Sequence, residues 1–278
     1  MSNLYIKKNF LIIFTKVFSF LSLAINFTGC STSYEGENTL EKTYNNINKE
    51  IIDNYSKAIT KNPNNFHFYV ERGRAKQEYG DFKGAIDDFN NAFKIYPDKL
   101  FLFFRANAKF DYGDYEGAIK DYKNSISMND FKEEVFYNLA SSQLINFNYE
   151  DSIINYSKSI EYNPDDDYAY LNRGNAKFKK IDYLASLDDY SKSIKINKNA
   201  YITFNNRGVI KFKLSQYEAA IKDFEKSLKI NPVNYNTIYN KALTNFELKE
   251  FKKACIDLKK SIKLGKEVFQ EEYSKICK

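Results

Sequence analysis

Small residues recur along this chain at an almost constant interval. Gly73, Ala106, Ala140, Gly174, Gly208 and Ala242 are separated by 33, 34, 34, 34 and 34 residues. A second series, Ala85, Ala118, Ser152, Ser186, Ala220 and Ala254, trails the first by 12. A period of this length marks an array in which one short module is stacked many times. A module of about thirty-four residues cannot bury its apolar face alone, so each needs its neighbour. The unbroken phase therefore predicts one continuous array in these 278 residues, not two globular domains.

Counted from Phe66 as position 1, the columns acquire physical meaning. Position 17 is Phe82, Tyr115, Tyr149, Tyr183, Tyr217 and Phe251, and position 24 is Phe89, Tyr122, Tyr156, Tyr190, Phe224 and Leu258. Position 27 is small throughout: Ala92, Ser125, Ser159, Ser193, Ser227 and Ser261. Small residues at 8, 20 and 27 let helices approach, and the rings fill the gaps between them. All four prolines, Pro63, Pro97, Pro164 and Pro232, fall at position 32, where the missing N–H ends a helix. Apolar residues follow helical spacing, not alternation. Gly80-Asp81, Gly113-Asp114 and Ile181-Asp182 mark turns between paired helices.

These columns resemble the tetratricopeptide repeat family. Position 4 carries Tyr69, Leu102, Phe136, Tyr170, Phe204 and Ile238 in place of the family's frequent tryptophan. The resemblance covers six units, 66–98, 99–132, 133–166, 167–200, 201–234 and 235–266. It implies an all-α fold, a right-handed superhelical solenoid of paired antiparallel helices. Upstream, Ile52–Pro63 matches a second helix, so 38–65 is expected to be a degenerate leading repeat. Residues 267–278 read as a C-terminal capping helix.

A charge pattern runs through the repeats. Position 7 is Arg72, Arg105, Arg173, Arg207 and Lys241 in five units, and position 23 of those units is Asp88, Asp121, Asp189, Asp223 and Asp257. The remaining unit has Leu139 and Asn155 instead. Cation and aspartate come and go together, as expected of ion pairs between the two helices of a unit. A row of cations for an acidic ligand is the other reading, but it would lie beside its own anions.

The amino terminus has a different character. Residues 1–29 contain Lys7, Lys8 and Lys16, no acid, and a short apolar run from Val17 to Phe27. This is the layout of a secretory leader. Its ending, Phe27-Thr-Gly-Cys30, resembles the lipobox of bacterial lipoproteins, with Phe27 where that family usually has leucine. The resemblance implies that Cys30 becomes the acylated first residue, and that Ser31 directs the protein to the outer membrane or periplasmic face. An uncleaved anchor over 10–27 is the alternative; Lys16 would be costly in a bilayer and the run after it is too short to span one. Residues 30–37 read as a polar tether.

Two cysteines remain. Folded antiparallel about Gly265, Cys255 and Cys277 fall nearly opposite one another. An exported protein permits a disulfide between them, although two separate thiols fit the spacing as well.

Composition narrows the function. A net charge of +6 falls to +3 without the leader lysines, and the charges are interspersed, so no basic stripe for nucleic acid is present. His67 is the only histidine. No metal-ligand spacing, nucleophilic triad or phosphate loop can be assembled, so no enzyme, cofactor, metal or small-molecule substrate is expected. Asp165, Asp166 and Asp167 read as a solvated turn and helix cap. The family resemblance instead implies a concave groove lined by the first helices at positions 2, 5, 9, 12 and 13. Phe103, Tyr137 and Tyr239 at position 5, Tyr168 at position 2, and Asn107 and Asn175 at position 9 are expected to face a protein or peptide partner, the amides bonding its backbone. The rings at position 12, Phe110, Phe178, Phe212 and Phe246, read as covered by the next unit. No position 5 is lysine, so the carboxylate clamp of chaperone-binding relatives is not implied. The expectation is a lipid-anchored scaffold of the cell envelope, with structural self-association and a membrane-anchored adaptor as alternatives.

Overall fold

The computed structural model describes residues 34–127, 132–268 and 270–277. The leader over 1–29 and Cys30 lie outside these residues. Among the described residues there are fourteen helices and no strand. The first, α1 (Tyr34–Lys61), precedes six pairs: α2 (Phe66–Tyr79) with α3 (Phe82–Ile95), α4 (Lys99–Tyr112) with α5 (Tyr115–Ser125), and α6 (Lys132–Ile145) with α7 (Tyr149–Tyr162). There follow α8 (Asp167–Lys179) with α9 (Tyr183–Ile196), α10 (Tyr201–Lys213) with α11 (Tyr217–Ile230), α12 (Tyr235–Glu247) with α13 (Phe251–Lys263), and the short α14 (Gln270–Ile276). None of them is long and apolar enough to cross a membrane.

The chain divides into two compact parts between Asn54 and Tyr55. The first, where described, is the leading stretch of α1. The second is a solenoid of paired helices in which each helix packs on the next. Within it, first helices also touch directly between repeats one and two, two and three, three and four, and five and six.

Local chemistry sets each pair. The turn between the two helices needs one residue in the left-handed region, and position 15 supplies it in every repeat. Gly80 (φ 91) and Gly113 (φ 89) do so without cost, whereas Phe147 (φ 62), Ile181 (φ 66), Ser215 (φ 58) and Lys249 (φ 61) are strained by about 1–2 kcal/mol each. The next residue caps the second helix: Asp81, Asp114 and Asp182 accept from the N–H groups of Gly84, Gly117 and Ala185 at 3.0, 2.9 and 3.2 Å. Such caps stabilise by about 1 kcal/mol each. Position 8 receives the ring at 24 so closely that a Cβ on Gly208 would stand 2.6 Å from Phe224. Where position 20 is serine, it bonds across the pair, Ser152 to the Ala140 carbonyl (2.8 Å) and Ser186 to that of Gly174 (2.7 Å).

The amino-terminal end differs from the expectation, and the carboxyl end takes one of the two arrangements open to its cysteines. The leading repeat over 38–65 is not a helix pair but the single helix α1, which also takes up the last four residues of the 30–37 tether. No glycine or proline interrupts residues 38–62, so nothing forces the chain to turn there. Its end still acts as a second helix: Tyr55 lies 6.1 Å from the Phe68 ring, and Ser56 accepts from Arg72 at 3.1 Å. At the other terminus Cys255 and Cys277 are joined as a disulfide, tying α14 to α13 with Cα atoms 4.9 Å apart.

Candidate functional site

The cations at position 7 belong to the interior. Arg72, Arg105, Arg173 and Arg207 reach Asp88, Asp121, Asp189 and Asp223 at 2.6, 2.6, 2.7 and 2.7 Å. Each fork is bidentate, because Nε takes the second oxygen at 2.7–2.9 Å. The remaining Arg nitrogen reaches back one repeat, to Ser56, Asn90, Ser157 and Ser191. A lysine at position 11, which the sequence reading overlooked, completes each set: Lys76, Lys109, Lys177 and Lys211 lie 2.7–2.8 Å from the same aspartates. In repeat six Lys241 and Asn245 share Asp257 at 3.0 and 3.1 Å. Burial pushes the Asp121 carboxyl up, but the hydrogen bonds from Arg105 and Lys109 outweigh it and hold the group below the ordinary carboxylate range. These cations are engaged by the aspartates of their own repeats, and the arginines also by the helix before.

A second polar ladder corrects the reading of position 9. The Tyr122 hydroxyl donates to Asn107 Oδ1 at 2.5 Å, and Asn138 of the next repeat donates to the same oxygen at 3.2 Å. Tyr190 and Asn206 treat Asn175 in the same way, at 2.7 and 3.1 Å. In repeat three Ser141 meets the Tyr156 hydroxyl at 2.8 Å. The amides expected to hold a partner's backbone instead satisfy tyrosine hydroxyls that burial would otherwise leave unpaired. Burial raises all three phenols, Tyr190 to about 12. A sequence signal existed. Tyrosine at 24 goes with Asn, Ser and Asn at 9, whereas Phe89, Phe224 and Leu258 go with Arg74, Val209 and Leu243.

Position 5 is less open than expected. Phe103 is 6% exposed, in a core cluster with Tyr122, Val135 and Leu139, because the following first helix packs over it. Tyr137 is half-buried, accepts from Asn172 at 2.9 Å, and is pushed up to about 12 by burial. Tyr239 donates to Glu272 on α14 at 2.5 Å, and its phenol rises to about 12 through burial and that carboxylate. Helix α14 thus covers the last repeat, its Ile276 buried with Ala242 and Leu258. Tyr168 is open, at 52% exposure. The position 12 rings stay half-buried, and each packs on the position 17 ring of its own repeat: Phe110 on Tyr115, Phe178 on Tyr183, Phe212 on Tyr217 and Phe246 on Phe251, at 5.4–5.7 Å.

Among the described residues, a pocket of about 430 Å³ spans repeats three to five. Leu144, Ile145, Phe147, Tyr149, Phe178 and Val209 supply its apolar walls, with Asn175, Tyr190 and Asn206 at its polar side and Lys179 beside them. The two asparagines and the tyrosine are bonded to each other, so the lysine is the lining group with charge to spare. Of the residues expected to meet a partner, only Asn175 lines this pocket. Phe147 was legible as an aromatic residue in a column that begins with Gly80 and Gly113. No three His, Cys, Asp or Glu side chains gather into a metal-binding group among the described residues.

Family models for the tetratricopeptide repeat match residues 133–166 and 201–234, the third and fifth repeats as counted here. No curated protein matches the chain by sequence. Among solved structures, the C-terminal part of a tetratricopeptide repeat protein from Cytophaga hutchinsonii superposes with a TM-score of 0.68 at 16% identity, covering 86% of this chain and 97% of that one. A tetratricopeptide repeat protein from Parabacteroides merdae gives 0.60 at 20% identity, over 87% and 96%. YrrB, described as a tetratricopeptide repeat protein with an unusual peptide-binding site, gives 0.58 at 16%, over 67% and 97%. At these identities the likeness is one of fold. The described helix pairs thus share the solenoid fold of tetratricopeptide repeat proteins, and two of the six repeats match the family's models.

Proposed function

We propose that this tetratricopeptide-repeat array is a non-enzymatic scaffold of the bacterial cell envelope, anchored by lipid at Cys30, that holds a segment of a partner protein against its first helices. The pocket over repeats three to five carries the reading. It joins the first helices of three consecutive repeats, and its apolar walls are left uncovered while the polar groups around it are satisfied internally. An extended segment gains most where such walls coincide with few unsatisfied groups. The layout of residues 1–30 supports export and acylation.

The test is affinity capture from crosslinked cells with the tagged full chain, beside Val209→Glu. A partner held by the first and lost by the second, with both folded by circular dichroism, is the expected result. Identical captures from both would move binding off this face. Metabolic labelling with a fatty-acid alkyne checks the anchor: label on the chain is expected to vanish in Cys30→Ser, and label that persists would defeat it. Self-association is the second reading, favoured by exposed apolar residues such as Ile181 and Leu184. Light scattering across a concentration series separates it from capture of a partner.

A further inference from the structure

Charge along the inner face is not uniform. At position 13, repeats one and two carry Glu78 and Asp111 and repeat six carries Glu247, whereas repeats four and five carry Lys179 and Lys213. Both lysines are exposed, and neither meets an acid among the described residues. They differ in this from the lysines at position 11, each bound to a buried aspartate. A surplus positive charge therefore sits at the apolar pocket, on Lys179 in its lining and on Lys213 in repeat five.

Phe147 is the second observation. Its backbone is left-handed (φ 62), as at Ile181, Ser215 and Lys249 of later repeats, and the residue is 77% exposed with its ring edge-on to Tyr149 at 6.4 Å, so the turn itself does not call for phenylalanine. Phe147 lines the pocket together with Leu144, Phe178 and Val209. An exposed aromatic ring at a recess offers a face and an edge against which another aromatic group can pack. The volume, about 430 Å³, lies toward the small end of binding pockets, which run from about 300 to 1,000 Å³, and suits a side chain or two.

We infer that this pocket takes an aromatic side chain from an extended segment of a partner protein, with aspartate or glutamate side chains next to it held by Lys179 and Lys213. Charge complementarity sets the register: the acidic side chains lie along repeats four and five, between Asp111 on one side and Glu247 on the other. The inference rests on the groove reading above and names what that groove selects.

The test is fluorescence polarisation with the full chain in detergent and three labelled, C-terminally amidated twelve-residue peptides. One alternates aspartate with phenylalanine, one lysine with phenylalanine, and one aspartate with serine. The first is expected to bind at least tenfold more tightly than the others. Lys179→Glu, at an exposed and unpaired position, should weaken it at least tenfold. Phe147→Ser, which installs the residue type repeat five has at Ser215, should do the same without lowering Tm. Equal binding of the three peptides, binding of none, or indifference to both substitutions would overturn the inference. If peptide selectivity is absent but Val209→Glu still abolishes partner capture, this inference fails and the groove reading stands. A dimer that Phe147→Ser dissolves would assign the pocket to a second copy of the chain and overturn it too.

Discussion

Repeats three and four are adjacent, have the same helix pair, and solve the same interior problem with different chemistry. Repeat four buries a charged set. Asp189 is 0% exposed and is clasped by Arg173 and Lys177. Repeat three places Leu139, Gln143 and Asn155 at those positions, and Asn155 donates to Gln143 at 2.8 Å. Both arrangements are satisfied, so the fold needs matched partners at 7, 11 and 23 but not charge. The charged version has one further consequence. Arg173 also reaches Ser157 of the preceding repeat at 2.9 Å, whereas Leu139 cannot reach back at all. Charge here couples repeats as well as helices, and repeat three forgoes that coupling on its amino-terminal side.

The comparison breaks most sharply if one partner is removed. Asp189→Ala leaves two cations partly buried without their anion and should cost about 3–5 kcal/mol. Asn155→Ala leaves only an amide unpaired and should cost about 1–3 kcal/mol. Urea unfolding of both variants checks this, and equal losses would mean that charge is not what separates the two repeats. Next in size is the terminal disulfide. Cys277→Ser should cost about 2–4 kcal/mol, confined to the carboxyl end. Hydrogen exchange should rise in α14 and α13 while repeats three and four stay protected; loss of protection throughout would show that the array unfolds as one unit.

Exchanging the whole set sharpens the comparison. Arg173→Leu with Lys177→Gln and Asp189→Asn recreates the interior of repeat three in repeat four, and should shift stability by no more than about 1–2 kcal/mol. A loss as large as that of Asp189→Ala would show that the amide pair depends on more than these positions. The smallest effect is with pH. Asp121 is held below the ordinary carboxylate range by Arg105 and Lys109. Its contribution is therefore full above the unfolded value of about 3.9 and is lost as pH falls through its lower folded value. Asp121→Asn should flatten the acid limb of the stability curve below about pH 4, whereas Asn155→Asp, buried beside Leu139 and Gln143 with no cation, should be destabilising at neutral pH and recover as pH falls, because burial raises its folded value.

Several of these features were legible in residues. The joint change of Arg or Lys at 7 with Asp at 23 announced the ion pairs, and Leu139 with Asn155 announced the exception. Lysine at 11 is not legible locally, because Lys76, Lys109, Lys177 and Lys211 look like surface charge on a helix until α3, α5, α9 and α11 bring an aspartate alongside. Asn107 and Asn175 looked like free amides for the same reason: their partners, Tyr122 and Tyr190, lie 15 residues away in sequence. Phe103 looked open because its helix position faces inward in one repeat, and the following helix that covers it is outside any local pattern.

The sequence by itself determined the period, the helix pairs, the turns and the matched charges. These are encoded in residue type at fixed spacing, and each depends on contacts inside one repeat or between identical neighbours. Tertiary structure decided which inner-face residues remain free. That depends on what the following helix covers, on whether a tyrosine hydroxyl claims an amide, and on the closure of repeat six by α14 under its disulfide. Accessibility is what is left after packing, so it is a property of the stacked array and is written in no single repeat.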